Sequence, residues 1–344
     1  MGKTYKIGIV GCGVVGGGLV SLLGDKRDAL RARWGFDFKL CFVSDYARGT
    51  LVSADGLDAP AIAAALSKDG NLHALPGVRK DPVPLEKILK ETPVDFVCDA
   101  TPTNYETGTP SLGILRTALE NGANAVTCSK GGVGKDLAGL KKIAAEHGVS
   151  LRFESSVLSG TPLIDLVRGP LAGCDISRVQ GIVNGTTNYI LTKMEEGMPY
   201  NAALAEAQRL GYAETDPTGD VEGYDAAVKV CIMAGEFFGH HLAIGDVDRT
   251  GIAKLTSADI EKAKAAGKRI KLLAGVDRNK NAITGYVRPT EIDASHPLAG
   301  VSGVTNAVSI VTDNLGEITI IGPGAGARET AQGILSDMLE IARS

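Results

Sequence analysis

The stretch YKIGIVGCGVVG, residues 5–16, decides the fold. Residues 5–11 form an apolar, β-branched run of strand character, and Gly11, Gly13 and Gly16 fall in the GxGxxG spacing. The first glycine permits a tight turn, the second lets backbone approach a pyrophosphate, and the third allows close helix–strand contact. The amphipathic stretch VVGGGLVSLLGDKRDALRARW (14–34) predicts a helix whose N-terminal amides face an anion. GxGxxG alone is a weak signal, with a merely tight turn as its competitor, and the flanking strand and helix give it weight. Val14 and Val15, between the second and third glycines, join them as cofactor-binding candidates.

Outward from this loop, FKLCFVSD (38–45), VDFVCDAT (94–101) and NAVTCSK (124–130) read as strands, and so does VSLRFESSV (149–157). The helical patterns SLGILRTALENG and KDLAGLKKIAAEHG fall among them. Strands alternating with helices predict an α/β fold with a Rossmann-type, doubly wound parallel sheet. Thr101, closing the second of these strands, is a further cofactor candidate. Asp45 ends the strand where an acid hydrogen-bonds a ribose diol and favours NAD. Arg48 could instead pair with a 2′-phosphate, and Asp45 lies further from the glycines than the usual spacing of about 20 residues. The cofactor is therefore read as NAD(P).

After about residue 155 the texture changes. Glycine- and threonine-rich turns (SGTP, NGTTN) alternate with helices such as NAALAEAQRLG and the stretch from Ala226 to Phe238. KRIKLLAGVD, AITGYVRP and NAVSIVTDN predict a second, antiparallel-containing sheet, hence an α+β second domain. A chain of 344 residues exceeds the usual size of one core, which agrees with two domains.

Hydrophobic content of 44% and charged content of 22% are ordinary for a folded globular chain. A net charge of -4 speaks against a nucleic-acid partner. No stretch approaches the roughly 18 apolar residues of a membrane span, and the start has no long apolar signal-peptide core. Six cysteines without CxxC spacing read as reduced thiols, so a cytoplasmic location is expected. The five histidines, including adjacent His240 and His241, show no ligand spacing.

The candidate chemistry lies in GYAETDPTGDVEGYDAAVKVCIMA (211–234). Glu214, Asp216, Asp220, Glu222 and Asp225 put five carboxylates in twelve residues with no basic residue among them. Asp225 and Lys229 are four apart, on one face of a helix. A surface ion pair worth a few tenths of a kcal/mol is the bland reading. The apolar flanks leave little polar face for it, and a partly buried lysine beside a carboxylate suits proton transfer to a substrate oxygen. Lys130, in TCSKGGVG, follows a strand at the sheet's C-terminal edge, where ligands of such folds bind, although a solvated loop charge is the commoner case.

These pieces resemble homoserine dehydrogenases of the short form without a C-terminal regulatory domain. The similarity covers nearly the whole chain. Its most specific parts are GIVNGTTNYILTKM, AQRLGYAETDPTGDVEGYDAAVKV, YVRPTEIDASHPLAGVSGVTNAV and IIGPGAGARETA. The family reduces L-aspartate 4-semialdehyde to L-homoserine with NAD(P)H, on the route to threonine, methionine and isoleucine. Carried onto this chain, the resemblance implies Lys229 as proton donor with Asp225 beside it, and Lys130 as the second active-site lysine, near substrate and nicotinamide. It implies that Glu214 and Asp220 hold the small-molecule substrate. Asn184, Gly185 and Thr186 would line the same pocket, largely through backbone.

FESSVLSGTPLID resembles the family's monovalent-cation loop, with Glu154 and the carbonyls of Val157, Ser159 and Thr161 as sodium ligands; oxygen cages suit hard cations. A simple turn with Glu154 paired to a basic residue is the alternative. Gly322 and Gly324 fit the family's second glycine loop, where the chain returns to the nucleotide domain, and the resemblance implies that they too are cofactor-binding. The resemblance thus implies a dinucleotide-binding domain of residues 1–150 completed by about 312–344. Residues 151–311 would form an inserted catalytic and dimerisation domain, and the chain would be a homodimer.

The family typically carries Ala-Asn ahead of the first lysine, whereas this chain has Cys128 and Ser129. Leu158 stands where glycine or methionine is frequent. A rival reading makes Cys128 the nucleophile of an acylating aldehyde dehydrogenase, against the bland one of a small residue ending a buried strand. Other rivals are a dehydrogenase of another hydroxy amino acid and a non-catalytic nucleotide sensor.

Overall fold

The structure, a computed structural model, describes residues 3–280 and 282–343. The chain divides into two compact units, Met1–Gly160 with Ala325–Ser344, and Thr161–Gly324.

The first unit is built on β1 (Thr4–Val10), β2 (Asp37–Asp45), β3 (Gly49–Val52), β4 (Phe96–Asp99), β5 (Asn124–Thr127) and β6 (Leu151–Arg152). They lie in the order β3-β2-β1-β4-β5-β6. All neighbours run parallel except β2 and β3. The turn 46–48 between those two is far shorter than the roughly dozen-residue crossover that a parallel pair needs. Ile7, Ile9, Phe42, Val43, Phe96, Val97 and Val126 are fully buried, so both sheet faces are covered, which is why these strands read as continuous apolar runs.

The Ala327–Arg343 helix returns to this unit and packs on the Val14–Trp34 helix. Its Ala331, Ile334, Leu335 and Met338 share a core with Ile7, Ile9, Leu19 and Leu23. A Cβ on Gly18 would lie 2.6 Å from the Ala327 carbonyl oxygen, so the glycine run lets the two helices touch. VSLRFESSV is a strand only at Leu151–Arg152 and then turns into the short helix Ser155–Leu158. There the Ser156 hydroxyl donates to the Phe153 carbonyl, a local alternative to strand pairing, and the Ser155 hydroxyl ties the turn to the Thr330 carbonyl of the terminal helix.

The second unit holds β7 (Ile176–Ile182), β8 (Asp248–Arg249), β9 (Lys268–Asn279), β10 (Ala282–Asp293), β11 (Thr305–Thr312) and β12 (Gly316–Pro323). Their order is β12-β11-β7-β9-β10-β8, antiparallel apart from β10 and β8. Because β12 pairs with β11 in this sheet, the returning segment begins at Ala325 rather than near residue 312. The Tyr224–Phe237 helix lies against β9 and β10. A Cβ on Gly285 would come within 2.6 Å of Val230, so β10 is bare where the helix seats. NGTTN is not a turn: Asn184 caps the Gly185–Glu195 helix by accepting from the Thr187 amide. No helix among the described residues is long and apolar enough to cross a membrane.

Candidate active site

In the first unit, β1 ends in Gly11, whose φ of 91° only glycine adopts readily. A Cβ there would lie 2.6 Å from the Ala100 carbonyl oxygen, so the loop after β1 touches the loop after β4. Those strands flank the point where strand order reverses, the binding crevice of such sheets. A Cβ on Gly16 would lie 1.8 Å from the Gly11 oxygen, whereas Gly13 meets nothing within 4 Å. The Val14–Trp34 helix has no side-chain cap and no acid in its first turn, and Val14 is 75% exposed. Uncapped amides facing open space fit a pyrophosphate.

Three backbone amides fix Asp45. Its Oδ2 accepts from Cys12 N at 2.7 Å, and its Oδ1 from Ala47 N at 2.9 Å and Arg48 N at 3.0 Å. Arg48 is turned elsewhere, its Nη1 donating to the Gly70 carbonyl at 2.7 Å. Thr101 donates its amide (3.1 Å) and hydroxyl (2.6 Å) to Oδ1 of Asp99. Ser111 and Thr127 donate to Oδ2 of Asp99 at 2.5 and 2.8 Å. Burial raises the Asp99 carboxyl above its ordinary range, while these donors pull it back. Sequence reasoning passed over Asp99, although an acid closing an apolar strand was the available signal.

Lys130 begins the Lys130–Glu146 helix, and its amide donates to Thr103 Oγ1 at 3.3 Å. A cation at a helix N-terminus opposes the dipole, an unfavourable placement for an idle charge. Cys128 is half-buried, and burial together with the nearby Asp99 pushes its thiol up to about 12. A thiol so hard to ionise is a poor nucleophile.

In the second unit the structure joins four candidates into one chain of contacts. Lys229 is 6% exposed and Asp225 7%, and Lys229 Nζ lies 2.8 Å from Asp225 Oδ2. The same ammonium donates to the Val183 carbonyl at the end of β7. Asn184, the next residue, donates from Nδ2 to Asp220 Oδ1 at 2.7 Å and to Asp225 Oδ2 at 3.0 Å. Burial foremost, then the Asp225 charge, raises the Asp220 carboxyl, while Asn184 and Lys229 oppose the rise. Asn184 therefore enters through its side chain, not only its backbone.

Gly185 is bare for a reason: a Cβ would lie 2.8 Å from the Val304 carbonyl oxygen. Thr186 donates to the Tyr212 carbonyl at 2.6 Å, tying the helix start to the acidic loop. Glu214 stays outside the buried network. It is exposed on a loop whose Glu214 and Thr215 carbonyls accept from Gln208 at 3.0 and 3.2 Å. Arg249 secures the turn into the Tyr224–Phe237 helix by stacking 3.7 Å from the Tyr224 ring centroid and donating to the Glu222 carbonyl. Arg249 lies outside the site's motifs, and Gln208, though inside AQRLGYAETD, carries no sequence signal of its contacts with the loop carbonyls.

Glu154, Val157 and Ser159 are buried in the first unit, Glu154 to 1% exposure. Ser159 has φ 58° and ψ -122°, a region that costs a non-glycine residue on the order of 1–3 kcal/mol. A buried acid beside a strained buried turn is chemistry that fits a hard cation. Thr161, where the second unit begins, donates to the Pro323 carbonyl at 2.9 Å. Gly322 and Gly324 have packing reasons, since Cβ atoms there would meet Thr161 Oγ1 at 2.2 Å and Asn306 Cγ at 2.1 Å.

A family model described as homoserine dehydrogenase, NAD binding domain, matches residues 11–154, and one described as homoserine dehydrogenase matches residues 162–339. The NAD(+)-dependent homoserine dehydrogenase of Pseudomonas canavaninivorans is 40% identical over 99% of this chain and 97% of its own. The homoserine dehydrogenase of Methanocaldococcus jannaschii is 38% identical over 98% of each. A hyperthermophilic archaeal homoserine dehydrogenase solved in complex with NADPH superposes with a TM-score of 0.86 at 28% identity, covering 99% of this chain and 98% of that one.

Proposed function

The chain belongs to the homoserine dehydrogenase family, and we propose on that premise that Lys229 is the acid in its NAD(P)-dependent interconversion of L-homoserine and L-aspartate 4-semialdehyde. The observation carrying this reading is the buried Lys229–Asp225 pair, tied to Asp220 through Asn184. Gly11, Gly13, Gly16, the first turn from Val14 and Val15, Asp45 and Thr101 would hold the cofactor, which supplies or accepts the hydride when bound. In the reducing direction negative charge builds on the substrate oxygen, and Lys229 Nζ gives that oxygen a proton. Asp225 keeps the lysine charged beforehand and holds it in place. Glu214 and Asp220 are assigned to the substrate's amino and hydroxyl-bearing ends, and Lys130 is the second lysine of the reaction.

NAD is the preferred cofactor in this reading. The Asp45 carboxylate, pinned by three amides, repels a 2′-phosphate, and Arg48 is engaged at Gly70. Asp45→Ser should raise the NADP-to-NAD ratio of kcat/KM by about tenfold or more, since each 1.4 kcal/mol is a factor of ten. An unchanged ratio removes Asp45 as the discriminator.

Three finer assignments accompany this. Sodium would be held by Glu154 with the carbonyls of Val157, Ser159 and Thr161 as a structural ion. The protein would be a homodimer through the second unit's sheet, whose edge strand β12 leaves Ile321 exposed. Free, scattered thiols suit a reducing cytoplasm, with the product feeding threonine, methionine and isoleucine synthesis.

One set of measurements tests the reading: steady-state oxidation of homoserine, threonine and serine, each with NAD and NADP, in sodium or choline chloride, with the mass in solution by light scattering. Homoserine should be turned over fastest, by a dimer, with NAD favoured and sodium stabilising. No homoserine oxidation with either cofactor would transfer the assignment to another hydroxy amino acid.

A further inference from the structure

The Asn184 amide has all four of its hydrogen-bonding positions filled. Oδ1 accepts from the Thr187 amide at 2.9 Å and, at 2.9 Å, from the Thr187 hydroxyl, whose proton it shares with the Asn184 carbonyl at 3.1 Å. Nδ2 donates to Asp220 at 2.7 Å and to Asp225 at 3.0 Å. A carboxamide has two donors and an oxygen able to accept twice, so the group is saturated. It also cannot turn over. A flipped amide would aim its oxygen at two carboxylates and its N–H groups at the Thr187 amide. The residue is 6% exposed, so no solvent shell replaces these partners.

Two buried carboxylates that share a neighbour repel, and one of them tends to take up a proton. Lys229 needs Asp225 as an anion if it is to stay a charged acid in a buried helix. Among the described residues, the charged groups joined in this cluster include Asp220 on the Thr218–Val221 turn, and Asp225 and Lys229 on the Tyr224–Phe237 helix. Thr186, uncharged, gives its single hydroxyl proton to the Tyr212 carbonyl. Lys229 supplies positive charge to these carboxylates, and Asn184 supplies two donors without adding charge.

We infer that Asn184 is a positioning residue of the reaction: its side-chain amide, clamped by the start of its own helix, holds Asp220 and Asp225 as a pair of acceptors and so keeps Asp225 the ionised partner of Lys229. The inference rests on Lys229 as the acid. Its sequence context hides it, because NGTTN reads as a turn, and in the fold the helix cap by itself accounts for an asparagine there. The cap occupies only Oδ1, and the cap and the carboxylate clamp are opposite ends of one rigid group.

The two ends can be separated. Serine and aspartate cap helices about as well as asparagine, but neither supplies two donors, and aspartate adds a third anion. The test is the pH dependence of kcat/KM for L-aspartate 4-semialdehyde reduction, the direction in which Lys229 gives up its proton, in wild type, Asn184→Ser, Asn184→Asp and Lys229→Met, with melting temperature and NAD affinity for each. Asn184→Ser should lower kcat/KM about tenfold at neutral pH and move the acid limb up by about one pH unit, the equivalent of 1.36 kcal/mol between protonation states. Asn184→Asp should move it further; both variants should melt lower, because buried carboxylate oxygens lose their donors, while NAD affinity changes little in either. Loss of turnover in Lys229→Met with a wild-type pH profile in Asn184→Ser overturns this inference alone. So does a lowered melting temperature with an unmoved acid limb, which would make Asn184 a cap only. Retained turnover in Lys229→Met overturns the proposed acid and this inference together.

Discussion

Lys229→Ala should lose about 10²–10⁴-fold in kcat, the range for removing a positioned general acid, while NAD(P) binding stays within about twofold of wild type. The cofactor loop belongs to the other unit, and nothing in its Gly11–Gly16 geometry depends on Lys229. The substitution carries a second cost. It leaves Asp225, only 7% exposed, without its cation, and removing one partner of a buried pair costs about 3–5 kcal/mol. A lowered melting temperature is therefore expected, and lost turnover could be misread as lost folding. Replacing both partners together, Lys229→Met with Asp225→Asn, leaves no buried charge in the pair. That double variant should recover most of the melting temperature and none of the turnover. Cofactor binding by fluorescence quenching, kinetics and thermal melting on the three proteins decide the matter. A double variant that works at a near-wild-type rate would show that the pair is a structural ion bridge.

Gly16→Ala should raise the dissociation constant for NAD(P) about a hundredfold, or about 2.7 kcal/mol. The added methyl carbon would sit 1.8 Å from the Gly11 carbonyl oxygen, which is backbone and cannot rotate aside. Relief requires the Val14–Trp34 helix to back away from β1. That displaces the uncapped helix N-terminus from the phosphate position, where its amides and dipole act over a single turn. Gly13→Ala is the control, because its Cβ meets no protein atom and can obstruct only a ligand. Calorimetric titration with NAD should show weaker binding for both, but only Gly16→Ala should also lower the melting temperature. An unchanged melting temperature in Gly16→Ala would mean that the loop is more pliable than its contacts imply.

Periodicity and glycine spacing were enough for the nucleotide unit. The Val14–Trp34 helix, the strands β1, β2, β4 and β5 and the reversal of strand order all follow from apolar runs and turns. The antiparallel β3, the helices Ala59–Asp69 and Leu85–Glu91, and the helical turn at Ser155 did not, since each is short and set by local hydrogen bonds or tertiary packing. NGTTN misled for a physical reason. Asn, Gly and Thr favour turns, and the same preferences serve a helix start when the asparagine caps it.

The site was legible to the extent that its members share one motif. Asp225 and Lys229 are linked by helical spacing, but the bridge from Asn184 crosses thirty-six residues to Asp220 and forty-one to Asp225, and no periodicity reports that. A buried lysine is not by itself a mark of the site. Lys271 on β9 is only 1% exposed, and it donates to the Val301 carbonyl at 3.0 Å beside Glu195 at 3.6 Å. Burial alone does not separate the two lysines. The difference is that Lys229 stands in a connected set of an amide and two carboxylates.

The division of the chain has a consequence for how the protein is made. Every residue assigned here to the pyrophosphate and ribose lies before Gly160, yet Ala331, Ile334, Leu335 and Met338, which fill the core beneath the glycine loop, follow the whole of Thr161–Gly324. On the ribosome the first half therefore emerges with the apolar flank of its Val14–Trp34 helix uncovered, and it waits through the synthesis of an entire second unit. Domains generally fold as units during synthesis, so here the second unit is free to finish first and the first is closed behind it. Competence to hold a dinucleotide arrives late, as a property of chain closure and not of the segment that carries the glycines.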